Sequence, residues 1–156
     1  MKITLRIAFA MAAFGALVFC ADNTLGTWKL NPEKSKPPAG QSRITNSTVV
    51  REASGDGVKV TVKGEREDKS KIDVSYTAKY DGKEVMVSGS GLPYDTIAIK
   101  QVNENTLTDV RLKKGGKYKG SGRFVVSNNG RTATLTTTGT GADGKPFTGV
   151  TVFDKQ

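Results

Sequence analysis

Any chemistry this chain performs must come from carboxylates, hydroxyls and amines, because its 156 residues include no histidine and a single cysteine, Cys20. Without histidine there is no ordinary general base near neutral pH, no Ser–His or Cys–His couple and no His-containing metal site. One thiol forms neither an internal disulfide nor a multi-thiolate cage. The carboxylates set within apolar runs are Asp73 and Asp109. General acid–base work needs two such groups held in opposite protonation states by different surroundings. Asp73 alternates with apolar residues and is expected to face water. Asp109 lies two residues from Arg111, so both fall on one side of a strand, and an ion pair accounts for them; the pattern does not say which side is buried. No catalytic residue, cofactor or metal site is therefore expected, and the chain reads as non-enzymatic.

Two other motifs have plain structural readings. Gly139-Thr140-Gly141-Ala142-Asp143-Gly144-Lys145 fits a phosphate loop by letters, but such a loop must feed a helix N-terminus, and Pro146 with the β-type run behind it denies one. It is expected to be a hairpin turn. Thr132, Thr134, Thr136, Thr138 and Thr140 make a hydroxyl row suited to a solvent-facing strand, opposite Ala133, Leu135 and Gly139.

Charge points outward too. There are 24 Lys and Arg against 15 Asp and Glu, a balance of +9, which raises anionic glycans or lipid headgroups as partners. The concentrated patch is Arg111-Leu112-Lys113-Lys114-Gly115-Gly116-Lys117-Tyr118-Lys119, with Arg123 beyond. Lysines on a hairpin deter edge pairing, which is the simpler reading. No aromatic interleaving suited to stacking bases accompanies it, so nucleic acid is not an expected partner.

The elements that position these residues begin after residue 20. Lys2 and Arg6 precede an apolar run of 13 residues from Ile7 to Phe19, too short to span a bilayer and suited to a secretory signal. Residues 1–20 are read as a signal peptide cut before Ala21, with the chain periplasmic or extracellular. A lipid anchor on Cys20 is the rival, disfavoured by the bulk of Phe19. Residues 21–156 are then one domain with no transmembrane segment. Gly55-Asp56-Gly57, Asp81-Gly82, Gly115-Gly116, Asn128-Asn129-Gly130 and Asp143-Gly144 punctuate short β-type runs. Ile72, Val74, Tyr76, Ala78 and Tyr80 alternate with Asp73, Ser75, Thr77 and Lys79, a period of two. Strands are predicted at 27–30, 43–51, 58–62, 72–80, 84–88, 95–101, 106–112, 117–127, 131–139 and 147–153. Short turns imply an antiparallel meander, and closure removes its edges. The predicted fold is all-β, a single up-and-down barrel of about 8–10 strands, with a β-sandwich as the alternative.

The opening Leu25-Gly26-Thr27-Trp28-Lys29-Leu30 resembles the G-x-W start of the calycins, the lipocalins and fatty-acid-binding proteins, and Asn31 to Lys36 is similar to small lipocalin-like proteins secreted by bacteria. The resemblance implies that Trp28 plugs one end of a barrel whose interior holds an apolar small molecule. It departs from the fatty-acid-binding proteins twice. Only Asn31–Ser42 stands where they carry a two-helix lid, and Thr151-Val152-Phe153 stands where they carry a ligand-gripping Arg-x-Tyr. The residues expected to line the interior are Tyr76, Tyr80, Ile97, Ile99, Tyr118 and Phe124, with Trp28 closing one end. Gly120 and Gly122 are expected to leave space between Tyr118 and Phe124. The function expected is binding of a small lipophilic ligand; the alternative is a solid barrel whose basic face meets an anionic glycan or a protein.

Overall fold

A computed structural model describes residues 21–156; the expected signal peptide and Cys20 lie outside the described residues. Eleven strands form one antiparallel sheet: β1 Gly26–Lys36, β2 Ile44–Ser54, β3 Gly57–Arg66, β4 Lys71–Lys79, β5 Asp81–Met86, β6 Ser88–Ser90, β7 Thr96–Asn103, β8 Thr106–Leu112, β9 Lys119–Val126, β10 Thr132–Thr140 and β11 Pro146–Lys155. The order is β5-β7-β8-β9-β10-β11-β1-β2-β3-β4-β6, so β1 to β4 and β7 to β11 pair with their neighbours in sequence, β1 joins β11, and the short β5 and β6 pair instead with β7 and β4. One continuous sheet of this order is a nearly closed barrel, not a sandwich of two sheets. There is no helix among the described residues.

Closure depends on a segment that serves both edges. Residues 81–86 pair with β7, Val85 opposite Ile97, and Val87 N still donates to Asp95 O at 2.9 Å. Ser88–Ser90 then crosses to β4, Ser75 opposite Ser88 and Asp73 opposite Ser90. The single strand predicted at 84–88 is therefore broken at Val87. Gly89 permits the crossing: its φ is +103°, and a Cβ there would collide with the Asp73 carbonyl.

The second departure from expectation is at Pro32. Residues 31–42 were expected to connect two strands, yet β1 runs on to Lys36 through a bulge in which Asn31 faces Val152 and Lys36 faces Val150. Proline is tolerated where the ladder is already interrupted. Ser35 mends the gap, its hydroxyl donating to Asn31 O at 2.7 Å and accepting from Val152 N at 2.9 Å. The Gly139–Lys145 stretch is the expected turn, closed by Gly141 N to Lys145 O at 2.8 Å.

Alternation puts the core inside the barrel. Trp28, Leu30, Val58, Val60, Ala78, Ile97, Ile99, Leu107, Phe124, Val126, Ala133 and Phe153 form one buried cluster. Trp28 is wholly buried, its indole N–H donating to Thr24 O at 2.9 Å and its ring meeting Phe124 edge-on at 5.6 Å. The N-terminal residues seal the same end: Asp22 accepts from Thr24 N at 3.0 Å, from Thr24 Oγ1 at 2.5 Å and from the Tyr80 hydroxyl at 2.5 Å.

Candidate ligand-binding cavity

At the end opposite Trp28 the barrel encloses a cavity of about 200 Å³. Its walls are inward-facing positions of successive strands: Val49 and Arg51 of β2, Val60 and Val62 of β3, Ile72 and Tyr76 of β4, Ile99 of β7, Leu107, Asp109 and Arg111 of β8, Phe124 of β9, Leu135 and Thr137 of β10, and Phe147, Thr151 and Phe153 of β11. Pro38 and Gln41 from the β1–β2 connector and Leu92, Pro93 and Tyr94 from the β6–β7 connector form its mouth, with Gln41 and Pro93 exposed. Gly149 admits the first connector, because a Cβ there would stand 2.8 Å from the Pro38 ring.

Four of the residues expected to line an interior do line this cavity: Tyr76, Ile99, Tyr118 and Phe124. Three do not. Trp28 and Tyr80 belong to the sealed end, and Ile97 is packed in the core without reaching the cavity. Period-two alternation identifies the buried face but not the height along the barrel, so the expected set mixed floor with cavity wall. Phe147, whose facing the sequence left open, points inward and stacks on Tyr118 at 5.6 Å, and Tyr118 stacks on Tyr94 at 5.9 Å.

The space expected beside Gly120 and Gly122 is filled. A Cβ on Gly120 would stand 2.9 Å from the Tyr118 hydroxyl, and one on Gly122 would stand 2.5 Å from Asp109 Oδ2 and 2.8 Å from Arg111 Nη2. Asp109 and Arg111 thus point inward and occupy the room the glycine leaves. Arg111 Nε donates to Asp109 Oδ1 at 2.6 Å and Nη2 to Oδ2 at 2.9 Å, and both side chains are nearly nine-tenths buried. Burial opposes the guanidinium's charge, but Asp109 outweighs it and holds the Arg111 pKa above its usual value. Arg111 also lies over the Tyr94 ring, 5.3 Å from its centre. It therefore does not belong to the external basic patch in which the sequence placed it. Within that patch Lys113 pairs with Asp95 at 3.2 Å and Lys114 with Glu84 at 3.8 Å.

A second arginine was missed altogether. Arg51 is 7% exposed, stands 5.3 Å over the Phe124 ring, and has no hydrogen-bond partner for Nε or Nη2. Its signal was a cation at the inward parity of a strand otherwise marked by Val49 and Val50, apolar residues on both faces. Burial raises the Tyr76 hydroxyl above its ordinary pKa, with the Arg51 charge pulling the other way. Tyr94 and Tyr118 are likewise raised, chiefly by burial. The phenols around the cavity are accordingly neutral hydrogen-bond donors near neutral pH.

No family model matches the chain, and no curated protein matches it. Among solved structures it is similar to EF1p2_mFAP2b bound to DFHBI, at 10% identity and a TM-score of 0.52, covering 86% of this chain and 94% of that one. It is also similar to the zebrafish ileal bile acid-binding protein complexed with cholic acid, at 14% identity and a TM-score of 0.51, covering 86% of this chain and all of the other. The fold is a calycin-like barrel. Such identities carry the fold alone.

Proposed function

We propose that the protein binds a small lipophilic molecule inside its barrel and performs no catalysis. The observation that carries this reading is a cavity lined mainly by apolar and aromatic side chains, open at one end and sealed at the other by Trp28. Both solved barrels of this shape hold a small organic ligand, which supports it. Burying one ring's worth of surface, about 200 Å², at ~25 cal/mol per Å² contributes roughly 5 kcal/mol. Association itself costs at least about 4 kcal/mol, so an apolar occupant alone is held weakly, and the polar groups of the wall decide what is retained.

The test is calorimetric titration of the folded protein with a panel of apolar and amphipathic small molecules, alongside a Leu135→Phe variant that fills the cavity. Binding to the parent and its loss in the variant is the expected result. A folded parent in which no compound binds or shifts the resonances of Tyr76, Ile99 or Tyr118 defeats the reading. Trp28 emission reports only at second hand, through Phe124.

Export completes the proposal, with the mature chain starting at Ala21; Asp22 is held within the barrel by Thr24 and Tyr80, in keeping with a domain that begins there. N-terminal sequencing of the protein from cell fractions checks it. A second reading, attachment to an anionic glycan, draws on Lys117, Lys119 and Arg123, which have no ion-pair partner among the described residues. Salt-sensitive retention on heparin that falls when all three are neutralised is its expected sign.

A further inference from the structure

We infer that the cavity selects a compact aromatic monoacid, one ring system bearing a single carboxylate, and that Arg51 receives the carboxylate. This deepens the ligand-binding reading and rests on it.

Of the three arginines that line the cavity, Arg66 is half-buried, and the two deeply buried guanidiniums differ in one respect. Arg111 uses its Nε and Nη2 edge to hold both oxygens of Asp109. Arg51 lines the same cavity, and the Nε and Nη2 of its corresponding edge have no hydrogen-bond partner in the protein. Two adjacent N–H groups in a fixed fork match a carboxylate with two parallel bonds. Among the described residues the only other buried side-chain atom without a partner is Gln101 Nε2, and Gln101 does not line the cavity. The unfilled donors of the wall therefore meet in Arg51.

Charge fixes the valence of the ligand. Deep in the barrel Arg51, Arg111 and Asp109 leave one positive charge; Arg66 lines the cavity near the mouth, half-buried, with its Nη2 donating to Gly91 O at 2.6 Å; and Tyr76 and Tyr80, which face Arg51, are both held protonated. One carboxylate neutralises the site, whereas a second would sit buried without a counter-charge. Size fixes the scale. An apolar cavity of about 150 Å³ accepts benzene, so about 200 Å³ takes a ring and its acid group, and falls below the roughly 300–1,000 Å³ of sites for larger ligands. The walls favour a ring over a chain: Phe124 lies beneath Arg51, and Tyr94, Tyr118 and Phe147 form a stacked row towards the mouth.

The test is titration with benzoate and 2-naphthoate, their neutral amides and dodecanoate, against the parent, Arg51→Met and Arg51→Lys, each first shown to be folded by circular dichroism. The expected result is that the arene acids bind the parent about 10- to 100-fold more tightly than their amides. That preference disappears in Arg51→Met and survives in part in Arg51→Lys, which keeps the charge without the fork. Equal affinity for acids and amides in the parent overturns this inference and leaves the cavity reading standing. Tighter binding of dodecanoate overturns the aromatic class. Failure of every probe on folded parent protein overturns both.

Discussion

Asp109 and Arg111 show how one ion pair depends on what faces it. Removing the carboxylate leaves a buried guanidinium uncompensated, so Asp109→Asn is expected to destabilise the fold by about 3–5 kcal/mol, read by chemical denaturation. The double change Asp109→Leu with Arg111→Met removes both charges and is expected to recover most of that loss. The sequence made the pair itself legible but not its place. In Thr106–Leu112 the apolar residues Leu107 and Val110 fall on opposite faces, and Val110, 45% exposed, is the one that faces water. Parity votes cancel in such a strand, and an acid and a base two residues apart look as natural outside as in. Tyr80 supplies a pH signature. Burial, then its bond to Asp22, pushes its pKa up to about 12 from an ordinary value near 10. A raised folded pKa means that the contribution is whole below about pH 10 and is lost as pH climbs through about 12. Tyr80→Phe should therefore flatten part of the alkaline fall in melting temperature, with tyrosinate absorbance tracking the group directly.

Strand positions were largely legible because period-two alternation and Gly–Asp–Asn punctuation act locally. The two elements misread are those where a neighbour overrides the local signal. β1 passes through Pro32 because Ser35 and β11 repair the ladder around it, and the 84–88 run breaks because each half has a different partner. Ser88-Gly89-Ser90-Gly91 carried the hint, since so many small residues in a strand mark a close approach. Gly89→Val forces a side chain against the Asp73 carbonyl at a positive φ. It should open the β4–β6 ladder at a cost of about 1–3 kcal/mol, seen as amide exchange accelerated around Asp73–Ser75 while β9 to β11 stay protected.

At the scale of the molecule, the G-x-W opening and the meander together pointed to a calycin-like barrel, and the single, nearly closed sheet has that form. The polar interior was not legible, because it arises from side chains of β2 and β8, more than fifty residues apart, which meet only once the sheet has curled.

The pairing of the first strand with the last sets a timetable. Trp28 needs Lys155 opposite it, and Gln156 N reaches back to Thr27 O at 3.0 Å. A nascent chain therefore carries an unmatched β1 edge until β11 emerges. A chain ending at Lys145 should stay expanded and protease-sensitive, with native protection returning when a peptide spanning 146–156 is supplied. Such a polypeptide stays loose while it is being made, which is the condition that the proposed export would require of it.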